Sequence, residues 1–348
     1  MPDHRRPHGR SLAGLVASVA ALLGAGLLLS ACSLVAGAGQ PSPAPTSRSA
    51  ADAYNAAMTL TYSGKCQQAI PVFLEALTKN PIYVNAYSGL GNCYQAIGSF
   101  NEAIAEYDKA IQLDPTGYGL YMQRAGAEYN NGSGGSAIAD LNTALRLAPP
   151  QAVTYASIAA AYDSYVDFAD AVKAYTLAIQ KVPGNPSFYE QRAQVYLQME
   201  DATRAYADYR TAIKVSPTTA VRATVYSDLA GAYQGQGDYA SALAAVRRAI
   251  QLLPNTAHFY VTAGDIQRDA GDYTQALGSY DHALRLVSKG PDAEKAHEGK
   301  GDVFARQGRQ ALAIAQYRAA LKLVAASDTT TKSRVQGKIT SVQSGQSQ

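Results

Sequence analysis

Three histidines, two cysteines and two arginine–aspartate couples are the residues in the body of this 348-residue chain whose types could do chemistry. His258, His282 and His297 stand without a carboxylate or cysteine at metal-ligating spacing, and His297-Glu298 is not followed by the second histidine that a helical zinc site needs. No glycine-rich loop forms a phosphate cradle, and no Gly-x-Ser-x-Gly turn presents a nucleophile. The expectation is therefore a protein that is no enzyme, with no cofactor, no metal and no small-molecule substrate. Arg124 and Arg192 each have an aspartate sixteen residues on, Asp140 and Asp208. That matched exchange predicts a structural ion pair rather than two ligand contacts, because removing either charge strands its partner.

The elements that must hold these residues begin with an address. Arg5, Arg6 and Arg10 precede an uncharged apolar run from Leu12 to Leu29, the order of an export signal. The run ends Leu29-Ser30-Ala31-Cys32, which resembles the lipobox of bacterial lipoproteins. That resemblance implies a signal peptide over 1–31, a diacylglyceryl group on Cys32, and a body held outside the cytoplasm, at the outer face of the plasma membrane or in the periplasm. The run is near the lower limit for spanning a bilayer, so an uncleaved anchor is the alternative. Residues 32–49, with Pro41, Pro43 and Pro45 alternating, cannot bury apolar area. They read as a tether reaching at most ~50 Å when polyproline-extended.

Beyond residue 31, 27 basic residues face 26 acidic ones, and no basic stripe is present to neutralise phosphates. Nucleic acid is not an expected partner. Composition is 47% hydrophobic and 16% charged, a soluble globular balance rich in helix-favouring alanine.

Repetition decides the rest. Alanine recurs at Ala69, Ala103, Ala137, Ala171, Ala205, Ala242, Ala276 and Ala313, at intervals of 34 or 37 residues. A second alanine follows each by seven residues, and Pro81, Pro115, Pro149, Pro183, Pro217 and Pro254 follow by twelve. Three registers in step mark an internal repeat. Within one unit, Tyr87, Leu90, Gly91 and Tyr94 lie on one face of a first helix, and Gly98 breaks the chain. Phe100, Ala103, Tyr107 and Ala110 form the apolar face of a second helix, which Pro115 ends.

These residues resemble the tetratricopeptide repeat, a helical hairpin of 34 residues. The resemblance covers eight units, 50–83, 84–117, 118–151, 152–185, 186–219, 223–256, 257–290 and 294–327, with a capping helix and tail over 328–348. It implies an all-α, right-handed superhelical solenoid whose first helices line the concave face. Departures mark expected irregularities. Residues 220–222 and 291–293 fall between units, where about one additional helical turn can be absorbed, and the turn from Asn131 to Gly135 reads as loose. Val166 and Glu200 replace the turn glycine. Unit seven has Ser288 in place of its terminal proline, so its second helix is free to run on to Gly290.

On that reading the concave floor is Asn85, Asn92, Gln95, Met122, Tyr129, Asp163, Glu190 and Gln194, polar and nearly without basic residues. A mixed-charge stretch follows, with His258, Asp265, Arg268, Asp269, Glu298, Asp302 and Arg306. The Lys, Arg and Asn set that clamps chaperone C-termini in some tetratricopeptide domains is not found there. Cys66 opens the second helix of unit one and Cys93 lies late in the first helix of unit two, which permits a disulfide or leaves two buried thiols. The function expected is a non-catalytic, lipid-anchored scaffold of the cell envelope that binds a protein or peptide. The alternatives are a pilotin-like assembly factor for a secretion or pilus system and an accessory subunit of a cell-wall or glycan enzyme.

Overall fold

Each apolar stripe of a repeating hairpin needs a neighbour to cover it, and the structure supplies one by stacking. The computed structural model describes residues 48–345, which form α-helices and no strand. The signal peptide, Cys32 and the tether as far as residue 47 lie outside the described residues. The hairpins are α1 (Ala50–Tyr62) with α2 (Cys66–Lys79), α3 (Val84–Ala96) with α4 (Phe100–Leu113), α5 (Tyr118–Asn130) with α6 (Gly134–Leu147), and α7 (Ala152–Ser164) with α8 (Phe168–Lys181). They continue as α9 (Pro186–Gln198) with α10 (Ala202–Val215), α11 (Thr219–Gly235) with α12 (Tyr239–Leu252), α13 (Ala257–Asp269) with α14 (Tyr273–Leu286), and α15 (Pro291–Arg306) with α16 (Gln310–Leu323). A last helix, α17 (Thr329–Gln343), packs on α16 and buries Val335 and Ile339. It covers the apolar face that the end of an array leaves open. No described helix is long and apolar enough to cross a membrane.

The interior explains the two alanine registers. Ala69, Ala76, Ala103 and Ala110, with their equivalents along the chain, are fully buried where the paired helices approach. Tyr107, Tyr280 and Tyr317 lie fully buried over the first helix of their own hairpin. A Cβ on Gly91 would sit 2.7 Å from the Tyr107 ring, so glycine is what lets that ring lie flat against the helix backbone. Tyrosines at the start of first helices latch one unit to the previous one. The hydroxyls of Tyr87, Tyr121, Tyr189 and Tyr260 donate to the carbonyls of Pro81, Pro115, Pro183 and Pro254 at 2.9–3.1 Å. A phenylalanine there would fill the space but lose the latch, which gives a physical reason for the excess of tyrosine.

Every turn inside a hairpin has three residues, and its middle residue is left-handed. Glycine takes that place in six hairpins, while Val166 (φ 64°) and Glu200 (φ 61°) hold it in two, where a side chain costs energy. The turn expected to be loose keeps the same form: Gly132 is the left-handed residue, and Gly134 and Gly135 are drawn into α6.

The inserted residues are absorbed as extra N-terminal turns of first helices, α11 having 17 residues and α15 having 16 against the usual 13. Thr218 caps α11 by accepting from the Val221 amide, and Pro291, pre-set for a first helical turn, follows Gly290 at φ 86°. One boundary differs from the sequence reading: α14 does not run on to Gly290. It stops at Leu286, with Val287 extended, because the next helix starts at Pro291.

Candidate functional site

Successive first helices approach one another more closely than successive second helices do, notably α11 with α13 and α13 with α15. First helices therefore make the inner side of the array, and their solvent-facing residues form one continuous strip. Polar rungs join neighbours along it. Ser88 donates to Gln123 at 2.8 Å, Gln198 to Asp163 at 2.8 Å, and Gln234 to Asp269 at 2.7 Å, while Tyr129 stacks on Tyr165 at 4.3 Å.

Several residues read from sequence as free floor are partly committed to this framework. Asn92 and Gln95 both accept from the buried Tyr107 hydroxyl, at 2.8 and 3.1 Å, and Gln194 is bonded to Tyr209 in the equivalent place. Met122 is half-buried and packs against the apolar cluster of α5 to α8 rather than facing out. Asn85, Asn92 and Gln194 remain exposed.

The middle of the strip carries unbalanced acid. Glu190 on α9 and Asp228 on α11 bring their carboxyls within hydrogen-bond reach. Burial, then the facing Asp228 charge, pushes Glu190 up to about 7, and burial also raises Asp228. Among the described residues no Lys or Arg is paired with them, and the basic side chain that acts on Asp228 is the imidazole of His258 on α13. Glu128 on α5 is likewise pushed up to about 7 by burial and by the Asp140 charge. Burial raises Asp163 as well, against its bond to Gln198. Buried oxygens of Glu128, Glu190 and Gln191 have no hydrogen-bond donor within the described chain. Asp228, Glu128 and Gln191 were missed by sequence reasoning. For Asp228 and Gln191 the only signal was an acid or amide on a first helix without a basic neighbour three or four residues away, whereas Glu128 has Arg124 four residues before it and gave no such signal.

The C-terminal end is the opposite. Arg268 donates to Asp265 and Asp269 at 2.9 Å and reaches Asp302 at 3.4 Å. The buried hydroxyls of Tyr280 and Tyr317 donate to Asp265 and Asp302 at 2.7 and 2.8 Å. From α17, Lys338 contacts Asp302 at 2.7 Å and Glu298 at 2.8 Å, and Arg334 pairs with Glu298. Burial works against ionisation of Glu298, but hydrogen bonds from Arg334 and Lys338 win and hold it below the ordinary carboxylate range. Asp269 is lowered in the same contest by Arg268 and Gln234, whereas burial keeps Asp265 raised. Arg306 lies 3.6 Å from Asp269, and His258 lies 3.5 Å from Asp292. The charges expected to form an open floor are mostly satisfied by each other and by the capping helix.

The two arginine–aspartate couples lie inside their hairpins. Arg124 meets Asp140 through two bonds of 2.7 Å, and Arg192 meets Asp208 through two of 2.8 Å. Each arginine also reaches back one unit, to Asp108 at 2.5 Å and to Thr176 at 2.8 Å, so the pairs clamp between units as well as within them. Those second partners were not foreseen. Cys66 and Cys93 are separate buried thiols in this structure. His282 stacks on Tyr260 at 4.0 Å, and His297 bonds Gln316 at 2.8 Å.

A row of stacked helical hairpins with a polar inner strip defines an α-solenoid. The chain carries tetratricopeptide repeats: family models of that repeat match residues 84–116, 186–255 and 261–328. A tetratricopeptide repeat protein from Parabacteroides merdae ATCC 43184 shares the fold at 13% identity and a TM-score of 0.50, over 84% of this chain and 98% of that one. A crystal structure of MamA protein aligns at 24% identity and a TM-score of 0.40, over 48% of this chain and 91% of that one. MamA from Desulfovibrio magneticus RS-1 aligns at 16% identity and a TM-score of 0.40, over 48% and 94%. No curated protein sequence matches.

Proposed function

We propose that this protein is a non-catalytic interaction scaffold of the bacterial cell envelope, tethered by lipid on Cys32, which docks a segment of a partner protein along its inner strip. Tetratricopeptide repeats support a protein-binding role, and the ordered sequence of basic residues, apolar run and Leu29-Ser30-Ala31-Cys32 supports the tether. The observation that carries the docking site is the pair of acceptors without donors, Glu190 and Gln191, beside Asp228. A buried acceptor left unpaired costs free energy that a partner's donor recovers, and a Lys or Arg side chain supplies both donor and charge. The partner segment is accordingly basic.

Fluorescence anisotropy on the full chain tests this with labelled peptides rich in Lys and Arg against the same peptides with Gln in those places. Binding of the basic set, weakened about tenfold when Glu190→Gln and Asp228→Asn are combined, corresponds to roughly 1.4 kcal/mol and is the expected result. Equal binding of both sets, or no change in the double variant, removes the acidic strip as the site. For the tether, Cys32→Ser is expected to move the protein from the membrane fraction to the soluble one. Retention in the membrane fraction would favour an uncleaved apolar anchor.

A further inference from the structure

Cys66 is the first residue of α2 and Cys93 stands in the last turn of α3, so antiparallel packing of these helices sets the start of one beside the end of the other. Both side chains are buried, Cys93 completely, in a single apolar cluster with Ala57, Phe73 and Leu90. The Cys93 sulfur lies 3.2 Å from the Thr61 hydroxyl of α1 and within hydrogen-bond reach of the Cys66 thiol. Two thiols that share one small chamber, one from each of two successive units, have the placement a crosslink requires.

We infer that Cys66 and Cys93 are a modification site, oxidised to a disulfide that staples the first hairpin to the second when the chain folds in the presence of a disulfide oxidant. In thiol–disulfide exchange, the thiolate of one cysteine attacks the oxidant's S–S bond and releases one reduced thiol. The second cysteine then attacks the mixed disulfide, forming Sγ–Sγ and releasing the other thiol. The two cysteine protons end on the two released thiols, and the two electrons reduce the oxidant.

The timing follows from burial. Desolvation and the neighbouring Cys66 push the Cys93 thiol up to about 12, so in the closed core almost none is thiolate at neutral pH. The bond therefore forms while the core is still open and resists exchange once it has closed. Its place is mechanically useful. Among the described residues the first hairpin has a neighbour on one side only, and an end unit of an array frays more readily than an inner one.

The test uses the full chain refolded with oxidised and reduced glutathione, unfolded in the presence of an alkylating agent, and cut after Lys and Arg. Fragments 66–79 and 80–109 are expected to appear as one crosslinked species, two hydrogens lighter than their sum, that separates on reduction. Backbone amides of α1 and α2 are expected to exchange at least tenfold more slowly in the oxidised protein than in Cys93→Ala under the same conditions. Recovery of both fragments alkylated overturns the proposal. So does attachment of either cysteine to Cys32 or to glutathione, or equal exchange rates in the oxidised protein and the variant.

Discussion

Units five and six and the C-terminal third are built on the same alanine and tyrosine core, yet they handle charge in opposite ways. Around Glu190 and Asp228 two carboxyls face each other with no strong base, a glutamine oxygen is buried without a donor, and Glu200 occupies a left-handed turn. From α13 to α17, carboxylates meet Arg268, Arg334 and Lys338, and the hairpin turns are made by Gly271 and Gly308. One region is internally settled and the other leaves local stability unused. Local strain and unmet polar groups gather where a surface is shaped for something outside the chain.

The largest effect expected from disturbing this contrast is at the settled end. Arg268→Ala removes the guanidinium that Asp265, Asp269 and Asp302 share and is expected to destabilise units seven and eight by about 3 kcal/mol, read from urea unfolding followed by hydrogen exchange in those helices. A loss under about 1 kcal/mol would mean that the network is not coupled, and the two regions would no longer differ in kind.

In the middle, the sign should reverse. Because Glu190 is raised in the folded protein, folding retains a proton that the unfolded chain releases near its ordinary value. The parent therefore loses stability as pH climbs from about 4.5 to about 7 and is flat above that. Glu190→Gln removes its own part of this slope, leaving that of Glu128, and is expected to stabilise by about 1–2 kcal/mol at pH 8 and by little at pH 5. Matching pH–stability curves for parent and variant would show that the carboxyls do not confront each other.

A smaller gain is expected from Val166→Gly, about 1 kcal/mol, because the exposed valine at φ 64° loses its steric cost and gives up no packing. Thermal unfolding measures it, and a lower midpoint would place a stabilising role on the valine. The smallest effect is a control. Lys173 and Asp170 form an ion pair at 2.6 Å with the lysine largely in solvent, and Lys173→Ala is expected to leave the midpoint unmoved.

Much of the framework was legible because it is local. Ala103 and Ala110, Tyr107 and Gly91 sit within one hairpin, and repetition makes such a pattern visible eight times over. The Arg124–Asp140 and Arg192–Asp208 couples could be read for the same reason. What escaped depends on how one unit is turned against the next. The second partners of those arginines, Asp108 and Thr176, belong to the preceding hairpin. Glu190 and Asp228 are separated by an inserted helical turn, and the basic residues of α17 neutralise acids on α15, two helices away. The end of α14 escaped because the first-turn proline of α15, not the repeat period, sets where the next helix begins.

Side-by-side first helices also make the array a measuring device. Packed helix axes lie about 8–10 Å apart, and an extended chain advances about 3.3 Å per residue, so where first helices touch, as α11, α13 and α15 do, a strand crossing the strip meets an equivalent environment roughly every third residue. Recognition by such a surface would be written in triplets, with the pitch of the guest's sequence mattering as much as its composition.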